Sequence, residues 1–101
     1  MGSQTIVVSA IWEIFPVPES EHPQQQLVLL GQALRSLREE QGLTIDELAT
    51  ASAVHRQRIH ALETGYLDPT YELLLALADA LGVQPSALII RAEELKTASE
   101  P

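Results

Sequence analysis

The sequence contains no cysteine and few aromatic residues, and both shortages restrict what it can form. Without thiols, the chain can have neither a disulfide framework nor a thiolate metal site, which fits a reducing compartment. Aromatic residues make up 4% of the 101 positions, and apolar residues of all kinds make up 46%. A core must therefore consist of Leu, Ile, Val and Ala, which favours packed helices within a single domain.

Long apolar runs are also missing. No stretch reaches the roughly 18 consecutive apolar residues that a membrane-spanning helix needs. Residues 5–15, TIVVSAIWEIF, lack the basic start and the cleavage site of a secretory signal. We therefore expect a protein of the cytoplasm with no membrane partner.

Basic residues are scarce, with six Lys and Arg against fourteen Asp and Glu and a formal net charge of −8. One segment reverses this balance, because Arg56 and Arg58 lie between Leu48 and Leu62 with no acidic residue among them. The overall acidity disfavours nucleic acid, whose phosphates are negative. A local cationic segment is still compatible with binding to a duplex, through few phosphate contacts and a shallow salt dependence.

Residues 1–26 are predicted to form an N-terminal arm and linker. The β-branched and aromatic residues of 5–15 favour an extended strand that is apolar on both faces, and its Trp12 and Phe15 would be costly to leave in water. Residues 16–26, PVPESEHPQQQ, contain three prolines and no apolar periodicity, as in a linker. The arm is then either an unstructured extension or a strand that forms a dimer interface with a second subunit.

Over residues 27–92, apolar residues recur at three- and four-residue intervals, which predicts an all-α domain. A first helix ends near Gly42, since glycine is the usual residue after a helix end. Thr44 and Glu47 have the spacing of a capping box, which places the start of a second helix at Ile45.

Three further short helices are predicted from start and stop signals. Their boundaries are Arg56 and Gly65 for the third, Thr70 and Gly82 for the fourth, and Pro85 and Arg91 for the fifth. Ile59 and Leu62 are predicted to face the core from the third helix. Residues 93–101 are polar, and we expect them to fray as a C-terminal tail.

The sequence contains no residue pattern that is typical of a metal site or of a catalytic site. His55 and His60 lie five residues apart, about 140° around a helix, whereas two histidines that bind one ion lie four apart. The sequence has no glycine-rich phosphate loop and no serine placed beside a histidine and a carboxylate. We therefore expect no metal, no cofactor and no enzymatic activity.

Four motifs follow one another in a single register: LRSLREEQGLTIDELA, AVHRQRIHALETG, the dipeptide DP, and ELLLALADALGV. Together they make the segment from Leu30 to Leu88 similar to the helix-turn-helix domain of the XRE class, the Cro and phage-repressor family. The resemblance implies a compact, lambda-repressor-like bundle of five helices. In that family the second and third helices form the DNA-binding unit, and members commonly bind operator DNA as two-fold dimers.

The resemblance also implies roles for individual residues. Arg38 and Glu63 match a buried ion pair that joins the first and third helices and has a structural role. The positions that face base edges in the family are occupied here by Arg56, Gln57 and Ala61. Positions near the DNA backbone or the flanking bases are occupied by Thr44, His55, Arg58 and His60. Arginine can bind both acceptors of guanine and glutamine can bridge adenine, while a helix N-terminus favours phosphate.

Three positions differ from the family's usual pattern. Ile45 replaces a glutamine, Ala53 replaces the glycine of the turn, and His55 replaces a serine or threonine cap. If the turn is left-handed, alanine costs about 1 kcal/mol there.

These observations predict a sequence-specific transcriptional regulator of a bacterium or phage that binds operator DNA as a homodimer. Repression, by occupying the operator, is the common habit of the family. The alternative is a protein-interaction module, such as an antitoxin or adaptor, that keeps the helix-turn-helix frame. Such a module would bind its protein partner through the acidic surface or the N-terminal strand.

Overall fold

Residues 23–99 are described by the structure, a computed structural model, and they form five helices. The helices are α1 (Pro23–Glu40), α2 (Ile45–Ser52), α3 (Arg56–Glu63), α4 (Tyr71–Leu81) and α5 (Pro85–Ser99). This order confirms the predicted all-α, five-helix fold. The predicted strand over residues 5–15 lies outside the described residues.

Local signals fix most of the helix ends. At the start of α2, the Thr44 side chain accepts a hydrogen bond from the Glu47 amide, and the Glu47 carboxylate accepts one from the Thr44 amide. This is the predicted capping box. Thr70 caps α4 in the same way by accepting from the Leu73 amide, and Gly82 ends that helix with φ of 70°.

Two helices extend beyond the predicted boundaries. α1 begins at Pro23, inside the segment interpreted as a linker, because proline suits the first position of a helix and glutamine forms helix well. α5 continues to Ser99, so the expectation of a fraying tail from residue 93 is wrong for residues up to 99. Ala, Glu, Leu and Lys favour helix there, and the half-buried Leu95 gives the last turns an apolar contact.

Arg91 attaches α5 to α1. Its guanidinium donates hydrogen bonds to the Ser36 hydroxyl, at 2.6 Å, and to the Glu40 carboxylate. The hydrogen bond from Arg91 lowers the pKa of Glu40, and the same contact raises the pKa of Arg91. These contacts hold the middle of α5 against the C-terminal half of α1.

The core lies where the five helices meet. α1 packs against α3 and α5, α2 against α3 and α4, and α4 against α5. Every helix contributes at least one fully buried aliphatic side chain: Leu34, Leu48, Ile59, Leu62, Leu77 and Leu88. Each such side chain stabilises the fold by about 1.5–3 kcal/mol through burial. Ile59 and Leu62 therefore face inward as predicted.

Gly31 allows α1 to approach the end of α3. A Cβ at this position would lie 2.2 Å from the carbonyl oxygen of Leu62 and 2.7 Å from that of Glu63. Both atoms are backbone, so neither can move without moving α3. The glycine therefore sets the distance between the two helices.

The turn between α2 and α3 is left-handed at Ala53, where φ is 59° and ψ is 28°. Ala53 is the single non-glycine residue with positive φ among residues 23–99. The Ser52 hydroxyl donates to the Leu48 carbonyl and accepts from the Val54 amide, and the Val54 side chain is buried. The turn thus keeps its shape with alanine, at the conformational cost that glycine would avoid.

Within residues 23–99, no single helix is both long enough and apolar enough to cross a membrane. α4 and α5 reach that length and composition only as a pair, and they meet at a bend of 93°.

Substitution Gly31→Ala should lower the free energy of unfolding by about 2 kcal/mol or more, even though alanine favours helix by about 1 kcal/mol. The reason is the clash with the α3 backbone. Urea unfolding followed by circular dichroism measures the change. The control Gly42→Ala, with φ of +70° and no atom within 4 Å of its Cβ, should lose only about 1 kcal/mol. Equal losses in the two variants would contradict the close approach.

Substitution Ala53→Gly should raise the free energy of unfolding by about 0.5–1 kcal/mol, because glycine adopts the left-handed conformation without strain. The matched control is Ala51→Gly, two residues earlier and still within α2, which should lower it by up to about 1 kcal/mol. Opposite signs in the same urea experiment are the expected result. A loss of stability in both variants would show that the strain at Ala53 is negligible.

Candidate nucleic-acid interface

α2 and α3 form a compact pair held on the rest of the domain by their inner faces. Leu48 of α2 and Ile59 of α3 are fully buried, and Val54 anchors the turn between the helices in the same core. The outer faces of both helices remain accessible, and most of the exposed side chains on them are polar.

A buried ion pair fixes the far end of α3. Arg38 of α1 donates to both carboxylate oxygens of Glu63, at 2.7 Å and 3.0 Å, and the two side chains are only 9% and 5% exposed. A third nitrogen of Arg38 donates to the Leu43 carbonyl at 2.7 Å, just before α2 begins. Hydrogen bonding to Glu63 raises the pKa of Arg38. One guanidinium thus connects α1, the end of α3 and the approach to α2, and neither charged group is available to a ligand.

The outer face of α3 contains most of the candidate contact residues. Arg56, Gln57, Arg58 and His60 are exposed and Ala61 is half-buried. Because side chains turn about 100° per residue around a helix, Gln57 and Ala61 project away from Ile59 and Leu62. By the same rotation of about 100° per residue, Arg58 lies on the flank of this face and is not at its centre.

The start of α2 supplies a second set of donors. Thr44 is exposed, and its hydroxyl oxygen already accepts the Glu47 amide, so the hydroxyl proton remains able to donate outward. The first turn of a helix carries partial positive charge from unpaired amides. Asp46 and Glu47 in the same turn add two negative charges, which offset that attraction for an anion.

His55 occupies the cap position of α3 without capping it. Its side chain accepts no hydrogen bond from the α3 amides, whereas its backbone carbonyl accepts from the amides of Arg58 and Ile59. The imidazole is exposed beside Arg56 in sequence. His55 and His60 are both available for polar contacts on the outside of α3.

The sequence does not predict that two further residues, Asp46 and Tyr66, belong to this surface. Asp46 of α2 lies 3.0 Å from Arg56, measured from Oδ1 to Nε, and the side chains are 70% and 66% exposed. Ten positions separate them in the chain, and no local spacing rule relates such a pair. Tyr66, directly after α3, is 88% exposed while its amide donates to the Ala61 carbonyl at 2.9 Å. The exposure of Tyr66 cannot be predicted from its position in the sequence directly after Gly65.

Comparison with known proteins identifies the arrangement. A family model described as a helix-turn-helix domain matches residues 29–88. The uncharacterized HTH-type transcriptional regulator y4dJ of Sinorhizobium fredii (strain NBRC 101917 / NGR234) is 38% identical over 66 residues, which are 65% of this chain and 86% of that protein.

Two solved structures are similar as well. The restriction-modification controller protein C.AhdI from Aeromonas hydrophila matches with a TM-score of 0.61 and 37% identity, over 61% of this chain and 94% of that one. The clp gene regulator ClgR from Corynebacterium glutamicum matches with a TM-score of 0.68 and 36% identity, over 72% and 78%. The matched residues and the arrangement of α2 and α3 show that the chain belongs to the helix-turn-helix domain family.

Proposed function

We propose that this chain is a DNA-binding transcriptional regulator that inserts α3 into the major groove of operator DNA. The observation that carries the proposal is the accessible outer face of α3, on a helix whose inner face and C-terminal end are fixed by Ile59, Leu62 and the Glu63 ion pair. A rigid helix with exposed polar side chains fits the major groove, which is wide enough for one helix. The related proteins named as regulators support the same conclusion.

Specific contacts follow from the chemistry of the exposed side chains. Arg56 can donate two hydrogen bonds to guanine, Gln57 can donate to and accept from adenine, and the Ala61 methyl group can contact the methyl group of thymine. These three residues would distinguish base pairs. Thr44, His55, Arg58 and His60 would contact phosphates or flanking bases and fix the position of the helix along the duplex.

A homodimer fits this role best, because two copies of α3 would double the base contacts and the positive surface on a protein with a net charge of −8. Occupying an operator needs no chemistry, so the protein would act as a repressor without a cofactor. A bound dimer predicts a palindromic site whose half-sites are about one helical turn apart.

A protein-interaction module remains the second candidate. Ile89 and Ile90 are 46% and 52% exposed on α5, and neighbouring apolar side chains of this size favour contact with a protein. Such contact could come from a second copy or from another protein. The two candidate functions can be distinguished because only DNA binding requires the exposed side chains of α3.

Selection of bound sequences from a random duplex pool tests the proposed function directly. We expect enrichment of one palindrome. The double variant Arg56→Ala, Gln57→Ala should then bind the selected duplex at least about 30-fold more weakly, since each good base contact contributes about 1–3 kcal/mol. Fluorescence anisotropy with a labelled duplex measures the affinity.

The matched control is Arg35→Ala, which removes an exposed arginine of α1 that is paired with Glu39. It should leave operator affinity within about threefold, since the lost charge lies outside α2 and α3. Full operator affinity in the α3 double variant would overturn the assignment of α3 as the base-contacting helix. Failure of the wild type to enrich any duplex would favour the protein-interaction module.

A further inference from the structure

Arg56 is already bound to a carboxylate in the free protein. Asp46 in the first turn of α2 places Oδ1 3.0 Å from Nε of Arg56, and thereby joins the starts of the two helices. The neighbouring acid Glu47 cannot replace it, because its carboxylate accepts the Thr44 amide in the capping box. Asp46 is therefore the acidic side chain of α2 that faces the predicted base-contacting arginine.

Stability does not account for this pair. Both side chains are about two-thirds exposed, and ion pairs with that exposure contribute little to folding. The contact instead restricts a long side chain that would otherwise sample many rotamers. It also partly cancels the charge of one of two arginines on α3, in a protein that has few cations.

The geometry of the contact leaves the part of Arg56 that recognises guanine accessible. Asp46 lies on the Nε side of the guanidinium, and neither terminal nitrogen, Nη1 or Nη2, forms a hydrogen bond with any other residue in 23–99. These two nitrogens have the spacing of the O6 and N7 acceptors of guanine. Arg56 can keep its contact with Asp46 while it binds a base.

A carboxylate at this position distinguishes a base from a phosphate. Guanine is neutral, so Asp46 can stay beside Arg56 without electrostatic conflict when the base is bound. A phosphate that approached Arg56 would instead place its negative charge close to that of Asp46, where repulsion is strong at short distance. This repulsion would weaken non-specific binding, which depends on phosphate contacts, more than specific binding.

We propose that Asp46 is a specificity-determining residue, which positions Arg56 for guanine and suppresses its binding to phosphate. This proposal rests on the proposed function, since it requires α3 to contact DNA. Asp46 itself touches no base. Its effect on recognition is exerted through the orientation and the charge of Arg56.

The test compares Asp46→Asn with the wild type on two duplexes, the selected operator and a scrambled sequence of equal length. Asparagine keeps the shape of the side chain and removes the charge. Affinity for the scrambled duplex should rise about fivefold and affinity for the operator less than about twofold, so the ratio between them falls. The log–log salt dependence for the scrambled duplex should steepen by about 0.9, as one more phosphate is neutralised.

Two controls separate this role from a general charge effect. Asp79→Asn removes the same charge from α4, where Asp79 forms no ion pair within the described residues. Because salt screens this distant charge, the variant should change the ratio of operator affinity to scrambled-duplex affinity by less than about 1.5-fold. In an Arg56→Ala background, Asp46→Asn should no longer change the ratio of the affinities for the operator and the scrambled duplex.

Each outcome decides between the proposals. If Asp46→Asn and Asp79→Asn change the ratio equally, or if Asp46→Asn weakens both duplexes alike, the role of Asp46 is wrong while the regulator function stands. If the wild type retains neither duplex in dilute salt, both proposals fail. A drop in the ratio with Asp46→Asn alone, lost without Arg56, supports the assignment.

Discussion

The ion pair between Arg38 and Glu63 determines where α3 lies, and the rest of the exposed surface depends on that position. A buried charge pair is costly to assemble, because both groups lose their water. The bidentate geometry and the third hydrogen bond to the Leu43 carbonyl offset this cost by satisfying the guanidinium in three directions. Because the ion pair is buried on the inner side of α3, it orients α3 and the start of α2 without using any group on their outer faces.

Close contact between the backbones of α1 and α3 also fixes the position of α3, in addition to the ion pair. With few aromatic residues in the sequence, the helices pack through aliphatic side chains, and at Gly31 the α1 backbone lies directly against the backbone of α3. The end of α3 is therefore held on one side by charge and on another by direct contact with α1. If α3 contacts bases as proposed, a helix fixed in this manner would lose little conformational freedom on binding, and more of the energy of each base contact would remain as affinity.

The sequence predicts the parts of the fold that depend on local rules. The capping box at Thr44 and Glu47 and the cap at Thr70 involve residues three apart, and the structure contains both. Apolar periodicity likewise identifies the core positions of α3. The sequence does not predict the beginning of α1 or the end of α5, because polar helical turns have no apolar period. Contacts such as that of Arg91 with Glu40 join distant segments and follow no local rule either. The pairing of Asp46 with Arg56 depends on the turn between two helices and is likewise invisible to spacing rules.

An acidic protein that binds DNA must obtain its affinity from few cations, which makes their placement decisive. General positive charge raises affinity for every duplex equally, whereas a restrained arginine raises it only where a suitable base lies opposite. Of the two arginines on α3, Arg56 is paired with a carboxylate, while Arg58 has no ion pair within residues 23–99. In the proposed complex, Arg56 would bind a base and Arg58 would contact a phosphate. Under the proposed function, a net charge of −8 would favour release from non-specific sites, so that weak general binding would add to the discrimination provided by the base contacts.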